Sequence, residues 1–323
     1  MGTLIIHIGM HRCASTAIQS LLAAHRSVLA EAGGQLLLRA DIKDNKRLSY
    51  LPRLRYHSAL KPWCWGRLGR VAAKLDSGGG AGGDIVISAE NLPGTMPGAG
   101  QYDFYPHIEG FFGGARRLAD RLDKKLRLVM VARRQDCLIE SQYAFRVSRG
   151  MTLSFSDFVS RLDTTAYSWD HIIRKAVKTG VADNLHVGVA EHISPAYVAH
   201  LLGLNLGGRL SGNQSLPPHH VNTVRALVLA GMDISDAAIR QRLFQALKQT
   251  PDLAAADIAR VMGDSNQSPL ALSALQGALN LAARMPLPLF DAAARQALLK
   301  EHAAGNARFL ASPMVLAEAD SWA

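Results

Sequence analysis

The run Leu4-Ile5-Ile6-His7-Ile8-Gly9-Met10-His11-Arg12-Cys13-Ala14-Ser15-Thr16 constrains the fold more than any other stretch. Residues 3–9 read as a buried strand. A short polar loop follows, and residues 16–32 then show helical spacing, with Ile18, Leu21, Leu22, His25, Val28 and Leu29 on one face. The loop carries the Arg12 cation and the Ser15 and Thr16 hydroxyls. Unsatisfied backbone N–H groups at a helix start, beside a positive side chain, make an anion site. A phosphate-bearing ligand is therefore expected, the bland alternative being a Ser15 cap with a surface arginine nearby.

The same alternation recurs. Residues 84–88, 126–131 and 185–189 read as buried strands, and helices are expected near 108–123 and from 136 to about 149. Residues 92–106 hold Pro and Gly and read as a loop. Alternating strands and helices imply an α/β fold, a parallel sheet flanked by helices. Gly33-Gly34 closes the first helix. The Gly-rich 77–83 segment precedes a strand instead of following one, so it reads as a flexible connection. From Val221 onward the chain is Ala- and Leu-rich with helical spacing. The expected organisation is an α/β domain over 1–220 and a mostly helical C-terminal extension over 221–323, packed on the same domain.

Lys and Arg total 36 against 26 Asp and Glu, a net charge of +10. Such a field draws anions but is silent on fold. Cys13, Cys64 and Cys137 are widely spaced, with no metal-ligand pattern. Their low, odd number suits a reducing, cytoplasmic setting. No secretory leader is expected, because no basic segment precedes the short apolar run. No apolar stretch approaches the roughly 20 residues that span a bilayer.

A second anion site is expected at the end of the third of these strands, Val131-Ala132-Arg133-Arg134-Gln135-Asp136. Ser141 follows Arg133 by eight residues, on the next helix. An arginine supplies charge-assisted donors and a serine one neutral donor. Alternatively, Asp136 caps that helix and Arg133 pairs with a carboxylate. Two anion sites at adjacent strand ends suit a nucleotide phosphorylated on both sides of its ribose. No Gly-Lys-Ser or Gly-Lys-Thr occurs, which disfavours a magnesium-dependent small-molecule kinase. The basic stretch from Arg53 to Arg67 interleaves Tyr56, Trp63 and Trp65. It fits a platform for sugar rings or an anionic acceptor. A basic surface around two buried tryptophans is the expectation.

Together these motifs resemble the sulfotransferases that use 3′-phosphoadenosine 5′-phosphosulfate (PAPS), most of all their bacterial branch. H-I-G-M-H-R-C-A-S-T is similar to the family's 5′-phosphosulfate loop, and V-A-R-R-Q-D-C-L-I-E-S-Q-Y to its 3′-phosphate motif. Ile85-Val86-Ile87-Ser88-Ala89-Glu90 resembles the intervening strand, and Asn213-Gln214-Ser215-Leu216 a recurring late segment. The match runs in order from residue 3 to about 220 and is loose beyond.

The resemblance implies a P-loop NTPase-like fold, PAPS as co-substrate and no metal. It implies that Arg12, Cys13, Ala14, Ser15, Thr16, Arg133 and Ser141 bind the donor. It places Arg12 where the family usually has Lys, and Ala14 where its loop has Gly. Glu90 matches the acceptor-activating base of some members. His11 is the rival base, with His107, His219 and His220 as further candidates. The implied acceptor bears a hydroxyl, on a glycan, a glycolipid or a small molecule, and no specific nucleic acid partner is expected. A cytoplasmic enzyme peripheral to the inner membrane fits. A non-catalytic nucleotide-binding relative and a kinase are the competing readings.

Overall fold

A computed structural model describes residues 2–57, 62–78, 82–90, 92–98, 100–210, 216–250, 253–263, 269–317 and 322. The chain runs through β1 (Thr3–Gly9), α1 (Ser15–Ala24), α2 (Arg26–Glu31), β2 (Gln35–Leu38), α3 (Arg39–Lys43), α4 (Pro62–Asp76), β3 (Ile85–Glu90) and α5 (Ile108–Arg121). It continues through β4 (Lys125–Ala132), α6 (Gln135–Val147), α7 (Phe155–Ser160), α8 (Trp169–Lys178), β5 (Leu185–Val189) and α9 (Pro195–Leu202). Helices α10 (Pro218–Leu229), α11 (Ala237–Gln249), α12 (Ala255–Met262), α13 (Pro269–Arg284) and α14 (Ala292–Leu310) precede the two-residue β6 (Val315–Leu316).

The six strands form one parallel sheet in the order β2-β3-β1-β4-β5-β6. Its central strands are mostly apolar because both faces are covered, with His7 of β1 and Ser88 of β3 as buried polar exceptions. Leu4, Ile5, Ile6 and Ile8 of β1 and Leu128 to Ala132 of β4 are all buried. The expected α/β class is the observed one, and the sheet with its helical C-terminal part is consistent with a P-loop-like arrangement. Residues 213–215 of the late segment lie outside the described residues.

Cα packing divides the chain into two compact units. The first is Met1–Gln135, Asp163–Asn213 and Leu298–Ala323, and it contains the whole sheet. The second is Asp136–Leu162 and Gln214–Ala297, an all-helical unit in which α10 packs along α13. There Asn222 donates to the Met285 and Pro286 carbonyls.

Three local features depart from expectation. The helix read over 16–32 is two helices, broken at His25, whose N–H turns back to the Leu22 carbonyl. The ring Nδ1 of His25 lies 2.9 Å from the Leu21 carbonyl, where it competes with the helical ladder. Strands β2 and β6 are too short to show a period in sequence. The two tryptophans at the start of α4 are not buried: Trp63 is 50% exposed and Trp65 36%. The inward stripe of that helix is Cys64, Leu68, Val71, Ala72 and Leu75, and residues one position either side of Cys64 flank it. Among the described residues no helix is long and apolar enough to cross a membrane.

Candidate functional site

In a parallel sheet, ligands meet the carboxyl ends of the strands. Three adjacent strands end together here. β1 ends at Gly9, β3 ends beside it at Glu90, and β4 runs out into Arg133. Gly9 permits the close approach of β1 and β3. A Cβ on it would stand 2.8 Å from the Ala89 carbonyl oxygen and 2.9 Å from the Glu90 backbone.

The loop from Met10 to Ala14 is tightly wound. Arg12 has φ 65° and Ala14 has φ 59°, both left-handed, and Ala14 is the residue at which α1 begins. Tyr105, which packs against the loop, has φ 48°. Left-handed backbone costs a residue with a Cβ about 1–2 kcal/mol. Three of the four such residues described in the chain are therefore gathered at one strand end. Local strain of this kind concentrates where a backbone must present specific groups.

What the loop presents is N–H. The first bond of α1 runs from the Ile18 N–H to the Ala14 carbonyl, 3.1 Å, so Ser15, Thr16 and Ala17 have no acceptor within the helix. A left-handed residue followed by a helical one turns successive N–H groups into a single concavity, which suits an anion. Ser15 does not cap the helix. Its hydroxyl donates to the Met10 carbonyl across 2.7 Å and ties the loop closed. Thr16 is exposed at the same turn.

Two guanidinium groups meet at this loop. Arg133 donates from Nη1 to the Arg12 carbonyl oxygen, 3.2 Å, and its own carbonyl accepts from the Trp169 indole at 2.8 Å. The Arg12 guanidinium is lowered from its ordinary value by burial first and then by the Arg133 charge, with Glu90 opposing both. It remains a cation at any physiological pH. Glu90 itself pairs with Arg39 across 3.7 Å. The site thus holds a net positive charge in partly desolvated surroundings.

His11 and Cys13 are committed within the fold. The Tyr105 hydroxyl accepts from the His11 N–H at 2.8 Å and lies 3.2 Å from its Nδ1. Burial holds that hydroxyl protonated. Its contact with Nδ1 engages one ring nitrogen of His11 whichever of the two atoms donates. Burial pushes the Cys13 thiol up to about 12, which makes it an apolar loop residue and not a nucleophile.

Of the other expected residues, Ser141 lies buried on α6 within the second unit. Asp136 does not act as a surface cap. It is fully buried and pairs with Arg295 in that unit. His219 and His220 lie on α10 of the second unit, and His107 sits edge-on to Tyr56, 4.9 Å between ring centroids. Tyr105 was not foreseen as part of the site, and a lone tyrosine in a Pro- and Gly-containing loop carries no signal of that role. No protein-family model, curated protein or solved structure matches the chain.

Proposed function

We propose that this chain is a sulfotransferase that uses PAPS and modifies a hydroxyl on a glycan, glycolipid or small molecule. The observation that carries the reading is the contact of Arg133 with the Arg12 carbonyl, which puts one of the two expected 3′-phosphate binders beside the loop expected to hold the other end of the donor. The residues fit such an anion. A strained loop turns N–H groups outward, and the charges of Arg12 and Arg133, offset only in part by Glu90, favour an anion there. Cys13, Cys64 and Cys137 form no disulfide, which suits work in the cytoplasm.

When bound, the donor supplies an activated sulfuryl group on a phosphate leaving group. Arg12 and the loop N–H groups stabilise the negative charge that gathers on the departing phosphate oxygen. Arg133 holds the opposite, 3′-phosphorylated end and fixes its position. Glu90, at the β3 end beside Gly9, takes the proton of the acceptor hydroxyl as its oxygen attacks sulfur in line. Arg39 orients the Glu90 carboxylate. Arg12 contributes charge, not a proton, because its guanidinium does not titrate in the working range.

Thermal shift with adenosine 3′,5′-bisphosphate against ATP, ADP and NAD tests the donor class. Selective stabilisation by the first is expected, together with its loss in Arg133→Ala. Equal response to all four nucleotides would overturn the reading. Binding with no sulfate transfer to any acceptor, in wild type as in Glu90→Gln, would mark a non-catalytic relative instead.

A further inference from the structure

The exposed tryptophans of α4 belong to a second positively charged surface that shares no residue with the Arg12 loop. Trp63, Arg67 and Arg70 recur at helical spacing along one stripe of α4. The Arg67 guanidinium lies over the Trp63 ring at 5.1 Å, and Arg117 and Arg121 of α5 both lie over Trp65, at 5.5 and 5.4 Å. Tyr56, 49% exposed, carries Arg55 at 4.8 Å, and Arg53 stands one turn of the same 3-10 helix away. His57 joins the two halves. It packs edge-on to Trp65 and is lowered from its ordinary value by burial and then by Arg117 and Arg121. Among the described residues, Arg53, Arg67, Arg70, Arg117 and Arg121 enter no ion pair.

We propose that this face of α4 and α5 docks the protein on an anionic phospholipid surface. The aromatic rings already carry the protein's own guanidinium groups, which makes them poor platforms for stacking sugars. Rings and cations together form an amphipathic layer instead. The indoles sit at headgroup depth and the planar guanidinium groups meet lipid phosphates in bidentate fashion. Each arginine held near an anionic leaflet multiplies partition by about fivefold, and the exposed rings supply the apolar second signal that a charged patch alone lacks. The groove that Arg117 also lines, about 480 Å³ between Gly113, Arg116, Asp120 and Thr179, mixes a carboxylate with its arginines and is no simple anion seat.

The test is flotation of the full chain with vesicles of phosphatidylcholine and phosphatidylglycerol, against phosphatidylcholine alone, at low and physiological salt. Binding to the anionic vesicles only, weakening with salt, is expected. Brominated lipid should quench the emission, and the quenched rings should be Trp63 and Trp65, because Trp169 and Trp322 are buried. Arg67→Glu with Arg70→Glu should lower partition by about 25-fold or more, Trp63→Ser should abolish most of the quenching, and Lys300→Glu should change neither. Equal binding to both vesicles, or anionic binding that the double variant retains, would overturn the proposal. So would capture on immobilised heparin through these arginines without vesicle binding, which would give the face to an acidic polysaccharide. None of these readouts depends on the nucleotide donor.

Discussion

Arg133 donates from Nη1 to the carbonyl oxygen of Arg12, joining the end of β4 to the loop after β1 across 121 residues of chain. One side chain therefore both shapes the strained loop and adds its charge to it. Replacing Arg133 by Ala should remove a charge-assisted contact of about 2–3 kcal/mol from bisphosphate binding, roughly a 30- to 150-fold rise in Kd by calorimetry. Arg133→Lys should recover part of the charge but not the fork that reaches the carbonyl. An unchanged Kd in Arg133→Ala would remove the site assignment.

Ala14 pays for its left-handed φ of 59° with its Cβ. Ala14→Gly should relieve that strain but add chain entropy to the unfolded state, for a net gain of about 0.5–1 kcal/mol. Ala14→Val should lose more than 1 kcal/mol, since a β-branched residue resists this region, at about the level of a buried packing defect. Urea unfolding of the pair against wild type measures both. Destabilisation by glycine would mean that the backbone there is not strained.

The sheet was legible because strands buried on both faces are mostly apolar runs, broken in β1 by His7 and in β3 by Ser88, and β5 was read at its observed ends. The helix break was not legible, since His25 fits the apolar face and breaks the ladder only through its own ring bond to Leu21. That Ala14 stands where the resembled loop has Gly was readable, but its left-handed backbone was not. Arg133 was readable as a cation at a strand end. Its contact with Arg12 follows from the adjacency of β1 and β4, which no local pattern encodes. The exposure of Trp63 and Trp65 escaped a composition argument that treats tryptophan as core, whereas the spacing of Cys64, Leu68 and Val71 held the answer.

His7 places a pH dependence in the middle of the sheet. It lies opposite Ser88 across β1 and β3, with Nδ1 2.7 Å from the Ser88 hydroxyl and Nε2 buried without a hydrogen-bond partner. Burial lowers its pKa to about 4. The unfolded chain thus binds a proton near pH 6.5 that the native state refuses. Stability from this group is full above that pH and is lost as pH falls toward 4, by up to about 3 kcal/mol. The double variant His7→Leu, Ser88→Ala should therefore lose less stability than wild type between pH 7 and 4. Parallel pH curves for the two proteins would sink the assignment.

Arg295 bridges two carboxylates of α6 inside the helical unit, Asp136 and, at 2.5 Å, Glu140. Asp136 is fully buried, and Glu140 also accepts from the Phe290 N–H at 3.0 Å. Burial, with a smaller push from Asp136, raises Glu140 from its ordinary value despite these partners. Arg295→Met should take the counter-charge away from a carboxylate pair held in the fold and cost about 3–5 kcal/mol near neutral pH. Without the cation Glu140, which burial already raises, would stand further above its unfolded value, so the variant's stability is best retained below about pH 4 and declines as pH rises toward the folded value. The gap from wild type should accordingly widen from acid to neutral pH. Adding Asp136→Asn and Glu140→Gln to Arg295→Met should close most of that gap, because neutral groups need no counter-charge. A loss that is small and the same at every pH would show that the arginine packs there without neutralising anything.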